Sequence, residues 1–493
     1  MKLMFNMEFY DQFAISLNNF LNQEKWKNYH LGNYWLESSP SLPVHSLLDD
    51  SGNRVGFALG WLINSSGKLI KTQIQLPLSI TTNNMERIEK LIYSFSGRYI
   101  FIIITSEVKR IYLDPGGTLA LTYCSAKKRA GSTISLLLSD EPDHPVWLQS
   151  TGEFPDDRSD QFYPAGLTPS SGINRVMPNH YLDLENWKSV RHYPKSIPGV
   201  ISIKNIPAHI EKVISILQLN ICAVMENFPL IYMPLTAGQD SRMLLACSKN
   251  YQDKIRYVTF DHSNQQLKRH RKRWALIDLH ISQILAKKFS LQHLLIPVPA
   301  NSPQSMRLRY LRQIGFSGGS NKVSAFFESA QEHLELSGAW MTGFGAEVGR
   351  AFYWRDSDQN IDHLSSTILL NRMGLPFSIE FQNAVDNWLY SLPKLPITMV
   401  LDFLYLENRL GCWASPHLYG TAPFSISLLP FNNHEIFETM LRLPPEYKQS
   451  QRLTHDIISN TWPDLLSFPY NNYTGMRGLI DQYLKSFKHR FVK

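Results

Sequence analysis

The chain has 493 residues, 43% of them hydrophobic and 18% charged, with a formal net charge of +7. That length is too great for one compact core and predicts two or three domains, while the modest charge permits an anionic ligand without demanding nucleic acid. Cys124, Cys222, Cys247 and Cys412 are scattered with no CxxC pair, which argues against a zinc ribbon or a disulfide framework.

In chain order, Met1 to Leu17 is interrupted by Glu8 and Asp11 and makes a poor signal peptide. No apolar run approaches membrane-spanning length, since Tyr99 to Thr105 is only strand-sized. The expectation is a soluble cytoplasmic protein with no membrane partner. From about Gly56 to Pro194 the sequence reads as short strands with turns: Val55–Leu62, Ile70–Leu76, Tyr99–Thr105, Arg110–Leu113 and Thr133–Ser139. One helix, near Met85 to Ser94, interrupts them. From about Ile203 the period changes. A helical pattern over Ile210–Glu226 is followed by a strand at Leu230, a helix from Asp240 and a strand at Arg256–Phe260. A helix over about Lys272–Phe289 and a strand at Leu294–Val298 complete a βαβαβ order. That order predicts a parallel sheet with right-handed crossovers and a ligand crevice at the strand C-termini. Beyond Trp340–Gly343 the pattern is mainly helical.

The densest functional signal is Pro234-Leu-Thr-Ala-Gly-Gln-Asp-Ser-Arg242. An apolar run enters it and helix-forming residues leave it. Small residues between them let backbone N–H groups converge on a phosphate at a helix N-terminus, where the dipole favours negative charge. Asp240, at the helix start, is placed to hold a magnesium ion against such phosphates. Other features read plainly. Lys268–Arg273 is a basic run that a solvated loop explains, so nucleic acid is not expected. The sixteen histidines contain no HExxH, so zinc is not expected.

Thr236-Ala-Gly-Gln-Asp-Ser241 resembles the SGGxDS pyrophosphatase loop of the asparagine synthetase family. Thr342-Gly-Phe-Gly-Ala-Glu-Val348 is similar to that family's SGxGxDE turn, and Leu429-Pro-Phe-Asn-Asn433 to its "PF" segment. Gly97-Arg-Tyr99, Tyr112–Gly117, Gly172–Arg175 and Pro178–Tyr181 resemble landmarks of its glutaminase-type domain. The resemblance implies an α/β chain of two parts: a glutaminase-like (Ntn-type) β-sandwich over 1–195, and a PP-loop α/β domain over 203–493 with a parallel sheet and a helical C-terminal part. It implies an ATP-dependent ligase that adenylates a small-molecule or peptide carboxylate, releases pyrophosphate, and forms an amide with an amine or ammonia. Carried over by position, Leu235, Thr236, Ala237, Gly238, Gln239 and Ser241 would cradle the pyrophosphate, with Gly343 and Gly345 in the second turn. Asp240 and Glu347 would be the Mg2+ carboxylates, and Thr259 and Phe260 would lie beside the adenosine. Glu347 and Arg477 would act in catalysis.

The departures carry expectations too. Ala237 stands where the family has glycine, Phe344 where it has an acidic residue, and Glu347 where it has aspartate. Glutamine-hydrolysing members rely on a cysteine at residue one, whose own amino group is the base. Here the chain begins Met1-Lys2 and the first cysteine is Cys124, so no glutaminase activity is expected. In this respect the chain is similar to β-lactam synthetases and lasso-peptide cyclases. Two alternatives stay open: a catalytically dead nucleotide-binding scaffold, and a PP-loop RNA-modifying enzyme. The oligomeric state is left open.

Overall fold

The structure, a computed structural model, describes residues 9–21, 23–141, 162–318, 321–335 and 337–474. The first part runs β1 (Phe13–Ser16), β2 (Lys27–Leu31), β3 (Tyr34–Ser38), β4 (Val44–Leu48), β5 (Arg54–Ile63), β6 (Ile74–Gln75) and α1 (Met85–Ile92). It continues through β7 (Ser96–Ile104), β8 (Lys109–Leu113), β9 (Leu121–Cys124), β10 (Arg129–Gly131), α2 (Ile134–Leu137), β11 (Asn174–Val176), β12 (His180–Asp183) and β13 (Lys188–Arg191). These strands form two sheets, in the orders β11-β9-β10-β1-β3-β2 and β13-β12-β8-β7-β5-β4-β6. Strand β7 explains how they are stacked. Its Ile100, Ile102 and Ile104 share a core with Phe13, Ile15 and Leu36 of the other sheet. Its Tyr99, Phe101 and Ile103 face the opposite way, against Ile88 and Ile92 of α1. A strand covered on both faces reads as a continuous apolar run, which is why it was legible.

Three expectations are corrected here. Thr133–Ser139 is not a strand: it contains the helical turn α2, all four residues of which are buried. A short buried apolar run carries no period that separates strand from helix. The expected strand Ile70–Leu76 shrinks to β6, and β1 to β4 precede the point where the strands were expected to start.

The second part runs α3 (Ile206–Asn227), β14 (Ile231–Pro234), α4 (Gln239–Cys247), β15 (Ile255–Asp261), α5 (Arg269–Phe289), β16 (Gln292–Pro297), α6 (Gln304–Gln313), α7 (Asn321–His333) and β17 (Gly338–Met341). Helices α8 (Ser366–Met373), α9 (Ile379–Ser391) and α10 (Ile397–Phe403) follow, then a π-helical stretch over Leu404–Ala414 and α11 (Ser415–Thr421). The rest is β18 (Ser425–Leu428), α12 (His434–Arg442), α13 (Pro445–Gln449) and α14 (Arg452–Thr461). The five strands form one sheet, β16-β15-β14-β17-β18, parallel throughout. The molecule is therefore mixed α/β, with antiparallel sheets and one parallel sheet. The chain winds outward from β14 to β16 on one side, and β17 and β18 lie on the other. The C-terminal ends of β14 and β17 thus flank a topological switch point, where such sheets bind ligands.

The stretch Ile203–Asn227 is long and apolar enough to cross a membrane, which corrects the expectation that no run reaches that length. Its apolar residues recur at helical spacing, and Ile206, Ile210, Val213, Leu217, Ile221 and Val224 are buried in the core.

A buried polar hub joins the two parts. Asp114 accepts hydrogen bonds from the backbone N–H groups of Gly116, Thr118 and Leu119, and from the Thr118 hydroxyl. Asn432, far away in sequence, donates to Asp114 Oδ1 at 2.7 Å and to the Gly97 carbonyl, and accepts from Gly116 N–H at 2.8 Å. Removing one member leaves buried partners unsatisfied, one of them a carboxylate. Asn432→Ala is expected to lower the free energy of unfolding by about 3 kcal/mol in urea titrations. A loss well under about 1 kcal/mol would mean that water replaces the amide at no penalty.

Candidate functional site

Strand β14 ends at Pro234, where the sheet no longer needs a donor from that residue. Leu235 N–H still bonds the Val258 carbonyl at 2.8 Å, so the turn leaves the sheet from a fixed point. The Thr236 hydroxyl then organises the turn. It accepts from Gly238 N–H at 3.0 Å and meets the Ser241 hydroxyl at 2.7 Å. Gly238 occupies the N-cap of α4 in extended geometry, with Asp240 in the first helical turn. Ala237 is buried and is absent from the left-handed residues, so its methyl is accommodated without backbone strain.

The turn after β17 approaches the same place. A Cβ on Gly343 would lie 2.8 Å from the backbone carbon of Asp240 and 2.9 Å from its oxygen, so only glycine allows the two turns to touch. Gly345 has φ +100°, and its N–H bonds Glu347 Oε2 at 3.1 Å. Phe431 and Phe437 pack against it from the segment that contains the Asn432 hub. Asn433 caps α12 by accepting from Glu435 and Ile436 N–H, which fixes where Phe437 sits.

These contacts bring Asp240 and Glu347 together. Burial, and then the like charge of Glu347, push the Asp240 carboxyl up to about 7, against the pull of Arg350. Arg350 donates to Asp240 Oδ2 at 2.7 Å. The other oxygen, Asp240 Oδ1, is buried with no hydrogen-bond partner among the described residues. Tyr405, from the π-helical stretch, completes the cluster; burial and its hydrogen bond to Glu347 hold its phenol well above the usual value. Two adjacent carboxylates with one orphaned oxygen fit a divalent cation. No group of three or more metal-ligating side chains occurs among the described residues. A magnesium ion here would therefore draw its remaining ligands from phosphate and water, as that ion commonly does.

Two residues that sequence reasoning did not single out reach the first turn. Asp278, on α5, accepts the Ala237 N–H at 2.8 Å and so occupies a donor that an anion would use. Burial pushes its carboxyl up to about 6, with the Ala237 N–H pulling it back. Asn471 N–H bonds the Ala237 carbonyl at 3.0 Å, bringing the late segment to the same turn. Nothing in the local spacing marks either residue, because both contacts are long-range.

Other expected residues lie as follows. The Gln239 side chain turns toward α14, bonding Gln451 and accepting from Thr454, so it offers the turn only its backbone. The Thr259 hydroxyl donates to the Leu235 carbonyl at 2.6 Å and meets His293, and Phe260 packs against Phe326 and Trp340. Both side chains thus hold the sheet together at the site. Arg477 lies outside the described residues. Cys124 is a packed thiol on β9. A cavity of about 450 Å³ opens beside the two turns, lined by Pro234, Asp278, Thr342 and Phe344 on their side and by Trp413 from the π-helical stretch.

Gly343→Ala must separate the turns, since the obstructing atoms are backbone. A loss of about 1–3 kcal/mol in stability is expected on chemical unfolding, and an unchanged midpoint would show that the turns do not abut. No protein-family model and no curated protein matches the chain, so the functional reading rests on this geometry.

Proposed function

We propose that the chain is an ATP-dependent, AMP-forming carbon–nitrogen ligase similar to asparagine synthetase. The observation that carries this reading is the meeting of Asp240 and Glu347, from two turns at the switch point of a parallel sheet, beside a phosphate-sized turn at a helix N-terminus. In this reading a substrate carboxylate oxygen attacks the α-phosphorus of ATP, the bond to the β-phosphate oxygen breaks, and pyrophosphate leaves. An amine or ammonia then attacks the acyl carbon and AMP departs. Magnesium supplies charge neutralisation for the leaving pyrophosphate. Asp240 and Glu347 would hold the ion. The N–H groups at the start of α4 and the Thr236 and Ser241 hydroxyls would orient the phosphates. Phe344 offers no general base, so the attacking amine would lose its proton to another group or to water. Cys124, packed in a strand, offers no nucleophile for glutamine hydrolysis.

Titration of Mg-ATP into the protein by calorimetry is the direct test. Binding is expected to need magnesium and to fall about 10–100-fold or more in Asp240→Ala, with the fold retained. Unchanged affinity in that variant would remove the assignment.

A second reading, a nucleotide-binding scaffold without turnover, is favoured by Asp278, whose carboxylate already occupies Ala237 N–H. Asp278→Asn decides how far that occupation matters. It removes a negative charge that is present above about pH 6. The variant's gain in ATP affinity over the parent is therefore expected to grow as the pH rises through about 6. A gain that stays the same across that range would show that Asp278 does not oppose the phosphates.

A further inference from the structure

The cavity beside the two turns carries chemistry that the ligase reading leaves open: what the activated carboxylate is attached to. Its volume of about 450 Å³ lies within the range of small-molecule sites. The side away from the turns is built of apolar and aromatic groups. Phe326 and Phe327 come from α7, Trp413 from the π-helical stretch and Leu418 from α11. Phe344, in the second turn, lines the same space and meets Trp413 edge to face at 6.0 Å and 87°. The face of Trp413 is covered by the Arg409 guanidinium at 3.8 Å, which fixes the indole as a wall. Phe326 is held against Phe260 at 4.0 Å.

The polar lining comprises His262, Gln265, Thr342, His417 and Thr421 beside two charged groups. Arg271 is the one Lys or Arg and Asp278 the one Asp or Glu among the lining residues, and Asp278 already accepts the Ala237 N–H. An amino acid such as aspartate brings an ammonium and a second carboxylate, and the aromatic side offers them no Lys, Arg, Asp or Glu, only His417 beside Trp413. Burying either charge there is unfavourable, whereas an apolar body gains by leaving water. Thr342, in the turn that carries Glu347, marks the end at which the reacting carboxylate would lie.

We propose that this cavity selects a carboxylic acid with an aromatic or similarly apolar body, held between Phe344, Trp413 and Phe326. The inference rests on the ligase reading for the role of the carboxylate, but not for the selectivity of the cavity.

The test is calorimetric titration with 3-phenylpropionate and with aspartate, each into the full chain with and without a saturating non-hydrolysable ATP analogue and magnesium. The phenyl acid is expected to bind at least about tenfold more tightly than aspartate, in the presence of the analogue, and to support pyrophosphate release with Mg-ATP where aspartate does not. Trp413→Ala should weaken it by about tenfold or more. Phe344→Asp, in a half-buried position, should do the same without threatening the fold. Equal affinity for the two acids, or tighter binding of aspartate, would overturn the proposal. So would competition between the phenyl acid and the nucleotide analogue, which would make the cavity the site of the base. Selective acid binding with no Mg-ATP affinity would support the cavity's selectivity while removing the ligase reading.

Discussion

Asp114 and Asn432 sit 318 residues apart in sequence and 2.7 Å apart in space. The carboxylate gathers the turn after β8, and the amide returns bonds to Gly97 and Gly116. Asn432 is also the residue after Phe431, which packs beside Gly345. The hub therefore sets the position of the second turn, and with it Glu347. Because every member is buried and satisfied by the others, the arrangement has one low-energy form. Among the described residues, the antiparallel part thereby acts on the site through the position it gives the second turn.

The site itself is a compromise between charge and closeness. Gly343 allows two backbone segments to touch, which forces two carboxylates into one small space. Arg350 offsets the repulsion from one side and leaves one oxygen of Asp240 without a hydrogen-bond partner among the described residues. The structure pairs Arg350 with Asp240.

Legibility in the sequence followed physical locality. The βαβαβ order was readable because short apolar runs alternate there with amphipathic helical stretches; β14, β15 and β16 each contain such a run. The antiparallel strands β9 to β13 are three or four residues long and were hidden by their brevity. The turn over residues 235–241 was readable because phosphate-sized turns need small residues at fixed spacing. Asp278, Tyr405 and Asn471 were not, since each reaches the turns from a remote element whose local pattern is ordinary. Several motifs noted separately along the chain prove to be neighbours. Gly97, Asp114 and Asn432 share the hub, and Asn179 donates to Glu407 at 2.8 Å.

The π-helical stretch Leu404–Ala414 has a mechanical consequence. Within eleven residues it sends Tyr405 to the carboxylate pair and Trp413 to the cavity. It sends Glu407 to Arg191, Asn179 and Trp388, and Asn408 to the backbone of Ala165. The wider turn puts these side chains on more faces than a regular helix of that length presents. A ligand leaning on Trp413 therefore pushes against a strut whose far side is bolted to the antiparallel sheets. The strut also ties the two parts together: cut apart, the second would keep Trp388 against a Glu407 carboxylate stripped of Arg191 and Asn179 in what had been its interior.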